Sequence, residues 1–99
     1  VPEFSYRVYS QGSDRLLAIT DSSILGRTFE EGDLSIKVKR EFYKGKTCDD
    51  SEALELIRSA TIVNAVGRDI IGLMKKEDII DENAVLVVNG VPHAQFVRI

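Results

Sequence analysis

Five consecutive apolar residues, Ala84-Val-Leu-Val-Val88, run directly into Asn89-Gly90, the pair that most strongly marks a tight β-hairpin turn. A strand apolar at every position is expected to be covered on both faces and central in its sheet. Pro92 donates no ladder hydrogen bond, so the turn is expected to widen to about four residues. Ala94-Gln-Phe-Val-Arg-Ile99 then returns to close the sheet.

The N-terminal stretch obeys the same period-two logic. Phe4, Tyr6 and Val8 alternate with Ser5, Arg7 and Tyr9, a half-buried strand. Gln11-Gly-Ser-Asp14 is turn chemistry, and Leu16-Leu-Ala-Ile19 completes a hairpin. Asp21-Ser-Ser-Ile-Leu-Gly26 reads as one helical turn, capped by Asp21 and stopped by a left-handed Gly26. Phe29-Glu-Glu-Gly-Asp33 reads as an acidic, solvated loop without calcium-loop spacing. Leu34, Ile36 and Val38 then alternate with Ser35, Lys37 and Lys39 as a strand with a cationic face. Phe42-Tyr-Lys-Gly-Lys46 reads as a turn or short strand bending at Gly45.

Two helices are expected. Asp49 and Glu52 have capping-box spacing, and Ala53, Leu54, Ile57, Ala60 and Thr61 follow as a buried stripe. Thr61-Ile-Val63 either prolongs that helix or forms a brief extended link. A second helix is expected from about Asn64 to Lys76, with Val66, Ile70, Leu73 and Met74 on one side. Glu77-Asp-Ile-Ile-Asp-Glu82 is an acidic connection. The fold class is therefore α+β: a two-layer sandwich, an approximately five-stranded, mainly antiparallel sheet with two helices on one face.

Ninety-nine residues suit a single domain spanning 1–99, since a second core would be too small to stand alone. A single cysteine, Cys48, excludes an internal disulfide and fits a reducing compartment; with one His as well, no metal site and no cofactor are expected. Asp49 and Asp50 would raise the Cys48 thiol pKa, which disfavours a nucleophile and suits a small core filler. No apolar run reaches the roughly 18 residues of a membrane span, and Val1-Pro-Glu-Phe4 lacks signal-peptide layout, so a cytoplasmic setting is expected.

Three clusters could carry chemistry. Between Lys37 and Lys46, five cations (Lys37, Lys39, Arg40, Lys44, Lys46) meet one anion, Glu41, while eight basic and fifteen acidic residues remain elsewhere. Such a segment can bind a phosphate backbone, with Tyr43 as a stacking platform; the plainer reading is a solubilised strand face. His93, held behind Pro92, could act as a base, a phosphate contact or a turn-locking donor, with Asn64, Gln95 and Asp69 as the partners on offer. Asn64, Gly67 and Arg68 could form an anion pocket at a helix start, against a plain N-cap reading.

Phe29-Glu-Glu-Gly32, Leu34-x-Ile-x-Val38, Phe42-Tyr-x-Gly45, Glu52-Ala-Leu-Glu-Leu56, Ala60-Thr-Ile-x-Asn-x-Val-Gly67 and Gly90-Val-Pro-His-Ala-Gln-x-Val-Arg98 together resemble the archaeal family known as domain of unknown function 424. The resemblance spans nearly the whole chain. It implies a cytoplasmic archaeal protein of two-layer α/β build, suggests RNA- or translation-linked work, and supplies no catalytic residue. Asn64, His93 and Gln95 are the motif residues that are polar without an evident folding duty.

The leading functional expectation is a non-enzymatic module that binds RNA or a ribonucleoprotein. Lys37, Lys39, Arg40, Lys44 and Lys46 would hold phosphates, and Tyr43 would stack. A second is a small enzyme using His93 with Asn64 and Arg68 on a phosphorylated or acyl substrate. A third is a protein-interaction domain, a homodimer through the Phe4–Ile19 hairpin edge.

Overall fold

In this computed structural model, which describes residues 3–98, the chain builds one six-stranded sheet and one two-stranded sheet. The N-terminal hairpin is present as β1 (Phe4–Gln11) and β2 (Asp14–Asp21). A short 3-10 turn at Ser22–Ile24 leads to a second hairpin, β3 (Thr28–Glu31) and β4 (Leu34–Lys37). The acidic segment expected as a loop is thus the end of a strand and a tight turn, with Gly32 at positive φ. In place of the expected turn or short strand over Phe42–Lys46, a four-residue helix, α1 (Arg40–Tyr43), takes Phe42 and Tyr43, and a short strand, β5 (Lys46–Cys48), starts just after Gly45. Helix α2 (Asp50–Ser59) carries the capping box: Asp49 accepts from the Glu52 amide at 3.0 Å, and Glu52 accepts from the Asp49 amide.

The largest departure comes next. Ile62–Val66 is strand β6, and the following helix, α3 (Arg68–Lys76), begins only after Gly67. Asn64 is therefore a mid-strand residue, not a helix start. Local periodicity favours continuing the α3 pattern backwards, but Val63 and Ala65 meet the helix-side core while Val66 turns to the other face. That period of two is satisfied only between two neighbouring strands.

The C-terminal hairpin is β7 (Val85–Val88) and β8 (Val91–Val97). The turn does not widen: Val88 pairs with Val91 across Asn89 (φ 48°) and Gly90 (φ 79°), the two left-handed residues that a type I′ turn requires. Pro92 is accommodated because the β6 ladder stops at Val66↔His93, one residue short of it, and its carbonyl still accepts from the Gly67 amide at 2.9 Å. Ile99, the last residue of the expected closing strand, lies outside the described residues, as do Val1 and Pro2.

The large sheet runs β5-β1-β2-β6-β8-β7, with β2 and β6 parallel. The expectation of about five mainly antiparallel strands is corrected to a mixed sheet of six. The apolar run 84–88 is an edge strand rather than a central one, with Leu86 and Val87 47% and 51% exposed. The N-terminal hairpin is not an edge over its first half, since β1 pairs with β5 along Phe4–Tyr6 and β2 with β6.

Helices α2 and α3 cover one face, where Leu17, Ile19, Ile57, Val63, Ile70, Ile71 and Met74 form the main core. The other face is not bare. The β3–β4 hairpin and α1 lie on it, burying Phe29, Ile36, Val38 and Tyr43 against Ala18, Val66, Val88 and Val91. No helix among the described residues is long and apolar enough to cross a membrane.

Candidate functional site

Strand alternation puts Asn64, Val66, His93 and Gln95 on the face covered by the β3–β4 hairpin. Asn64 lies directly opposite Gln95, and Val66 opposite His93, so Asn64 and His93 are diagonal neighbours across the ladder. Their side chains meet: His93 Nε2 is 3.1 Å from Asn64 Oδ1. The same oxygen accepts from the Tyr43 hydroxyl at 2.9 Å, tying α1 to β6. An amide oxygen can only accept, so this contact requires the proton on His93 Nε2 and leaves Nδ1 as an acceptor.

Above this trio opens a cleft of about 390 Å³, with Lys37, Lys39 and Phe42 on its rim and Leu86 beside His93. His93 is half-buried, and that burial lowers its pKa from the ordinary 6.5, so the ring is neutral at pH 7. Tyr43 is pushed up to about 12, chiefly by burial and then by Tyr9, so its hydroxyl stays a donor at physiological pH.

The basic segment does not form one face. Lys37 and Lys39 border the cleft. The Arg40 side chain instead packs on the Gly26 turn, where an added Cβ would sit 3.0 Å from its Nε. Lys46 pairs with Tyr6 in the sheet register, on the helix-covered side, and exposed Lys44 lies between α1 and β5. The four-residue helix α1 carries the chain from the two-stranded sheet to the six-stranded one in mid-segment, which scatters cations that are contiguous in sequence. Tyr43 is not a stacking platform either: it is 4% exposed, edge-on to Phe42 and committed through its hydroxyl. The aromatic available to the cleft is half-buried Phe42, itself stacked on Tyr9 at 5.4 Å between centroids.

The third expected cluster dissolves differently. Gly67 is the residue before α3, at φ 128° and ψ 152°, a conformation that essentially only glycine adopts. Two free amides of the α3 start are already taken by Asp21, whose carboxylate oxygens accept from Asp69 and Ile70 at 2.9 Å each. Asp21 thus caps α3, 48 residues downstream, and makes no side-chain cap bond to its own 3-10 turn. Burial raises its pKa from 3.8, outweighing the two amides that act in the opposite sense. Arg68 does not reach the His93 cleft. Its Nε donates to the Gly90 carbonyl at 3.0 Å, and it lines a separate, larger cleft of about 590 Å³ together with Asp21, Arg27 and Asp69. Sequence reasoning passed over Arg27, and no local signal marks it.

Cys48 is buried, and its thiol is pushed up to about 12 by burial first and then by Glu52, Asp49 and Asp50. Among the described residues, no group of three His, Cys, Asp or Glu side chains is arranged to hold a metal ion.

Residues 9–99 match the model of the family described as protein of unknown function (DUF424). The chain belongs to this family. Among curated proteins none matches its sequence. A solved structure similar to this DUF424 chain is that of an uncharacterized conserved protein from the archaeon Methanopyrus kandleri. The two share 21% identity with a TM-score of 0.80, over 98% of this chain and 94% of the other. At that identity the likeness establishes a shared fold.

Proposed function

We propose that this DUF424 protein is a non-enzymatic module for RNA or a ribonucleoprotein, and that one nucleotide is read in the cleft between the β3–β4 hairpin and strands β6–β8. The observation that carries this reading is the pairing of two exposed lysines, Lys37 and Lys39, with a polar floor made by Tyr43, Asn64 and His93. Lysines at a rim supply sequence-independent attraction to phosphate through counterion release. A floor holding Asn64 amide donors and the His93 Nδ1 acceptor is suited to the edge of an unstacked base. Phe42 offers ring surface beside it. A cleft of about 390 Å³ is of a size to hold one base, not a duplex.

The test is titration against single-stranded RNA, structured RNA and DNA at low and near-physiological salt. Each lysine–phosphate contact contributes about −0.7 to the log–log salt slope for a single strand. The Lys37→Ala/Lys39→Ala variant should therefore flatten that slope by about 1.4, and His93→Ala should reduce selectivity at nearly unchanged slope. Affinity that ignores salt, or survives the lysine removals intact, rules the reading out.

A second reading, a small enzyme, draws on the half-buried position of neutral His93 in a cleft, where a general base can act. Arg68 would not be its partner. Turnover of a phosphorylated or acyl substrate that disappears in His93→Ala while RNA binding is absent would favour it.

A further inference from the structure

The six-stranded sheet has one place where adjacent strands run parallel. Strands β2 and β6 end side by side at Asp21 and Val66. After β2 the chain passes to the face covered by the β3–β4 hairpin; after β6 it passes to the opposite face as α3. Connections that diverge to opposite faces leave a crevice beyond the carboxyl ends of the strands, the position where open α/β sheets take their ligands. The larger cleft, about 590 Å³, lies there.

We infer that this cleft is a second ligand site, taking the phosphate of a small phosphorylated, hydroxyl-bearing molecule on Arg27 and Arg68. Its two guanidiniums have no carboxylate within ion-pair distance among the described residues, although Asp21 and Asp69 line the same cleft. Asp21 is 5% exposed, accepts an α3 amide on each oxygen and makes no ion pair with either arginine, so its carboxylate is committed to the helix start. Its charge also lies at the positive end of α3, which offsets its repulsion of an incoming anion.

Both arginines are positioned in advance. Arg27 lies 5.1 Å over the Phe29 ring, and Arg68 is anchored through Nε to the Gly90 carbonyl, which leaves its terminal nitrogens as donors. Side chains already restrained lose less entropy on binding. A phosphate monoester has three terminal oxygens and carries nearly two charges, enough to engage two forks, whereas a carboxylate satisfies one. The cleft exceeds what a bare phosphate fills, and exposed Asp69 is an acceptor suited to a hydroxyl of the ligand. This site is independent of the one proposed for RNA, since Lys37, Lys39 and His93 border the other cleft.

Amide chemical shifts of the protein, followed during additions of inorganic phosphate, adenosine 5′-monophosphate and adenosine, test the inference. The monophosphate should move the amides of residues 21–28 and 67–70 saturably. Arg27→Gln or Arg68→Gln should weaken it about 10- to 100-fold, the loss expected for one charge-assisted hydrogen-bonding group. Lys37→Ala/Lys39→Ala should leave it unchanged. Arg68→Gln can loosen the β7–β8 turn, so Arg27→Gln, at an exposed position outside that turn, is the deciding variant if Arg68→Gln misfolds. No movement of those amides at millimolar monophosphate overturns the proposal. So does binding lost with the lysines but kept in Arg27→Gln, and so does adenosine binding as tightly as its monophosphate.

Discussion

Replacing Gly67 with alanine would place a methyl carbon 2.4 Å from Asp21 Cγ and 2.6 and 2.7 Å from its two oxygens. Asp21 is buried and holds both oxygens on the α3 amides, so it cannot yield without giving up the cap. The cost has two parts. Holding alanine at φ 128° costs about 1–3 kcal/mol, and losing an N-terminal cap about 0.5–2 kcal/mol. Gly67→Ala should therefore destabilise by about 2–5 kcal/mol, against a total of about 5–15 kcal/mol for a domain of this kind. Urea unfolding of the wild type, Gly67→Ala, Asp21→Ala and the double variant measures it. With Asp21 shortened, the methyl group has room and only the backbone cost remains, so the double variant should be less destabilised than the sum of the singles by about 0.5–2 kcal/mol. Additive costs, or a Gly67→Ala effect under about 1 kcal/mol, would refute the idea that Gly67 exists to admit the Asp21 carboxylate.

His93 is the only histidine, so its ring resonances in a pH titration are unambiguous, and their midpoint should lie below 6.5. Because the folded state holds this proton less tightly than the unfolded chain, the His93 contribution to stability is complete above pH 6.5 and is lost as pH falls through the folded midpoint; His93→Gln should remove that part of the pH dependence. Tyr43→Phe deletes the bond to Asn64 and should cost about 0.5–1.5 kcal/mol in urea unfolding, while in the wild type one of the three tyrosines should ionise near pH 12 by ultraviolet titration. Asp49→Ala breaks the capping box and should cost about 0.5–2 kcal/mol, with helical circular dichroism lost first from α2. Cys48, buried with its thiol pushed up to about 12, should resist a thiol reagent at pH 8 in the folded protein and react at once in denaturant.

What could be read along the chain was what depends on near neighbours. The Asp49–Glu52 capping box closes within four residues, so its geometry is written in its own side chains, and Asn89-Gly90 marked the place of its turn although Pro92 did not widen it. The alternation of Phe4, Tyr6 and Val8 marked a strand for the same reason, and all three meet the helix-side core. Strand β6 escaped because a five-residue strand flanked by a helix on either side shares its apolar positions with a continuing helical pattern. Val85–Val88 was misplaced because an apolar run suggests cover on both faces, whereas Leu86 and Val87 stay about half exposed at a sheet edge whose place depends on how many strands pair beyond it. In the candidate site, Asn64 and His93 were legible as polar residues with no local duty. The 3.1 Å contact between them joins positions 29 residues apart and was not.

The sequence by itself therefore determined the N-terminal hairpin, the place of the Asn89-Gly90 turn and the α2 cap, because torsions and hydrogen bonds within a few residues decide these. Only the tertiary structure decided that Asp21 caps a helix 48 residues away, that contiguous lysines and arginines part company around α1, and that Arg27 and Arg68 share a cleft. Those outcomes follow from strand order and from which face each connection takes, and both are settled by the burial of two apolar surfaces on one sheet rather than by any local preference.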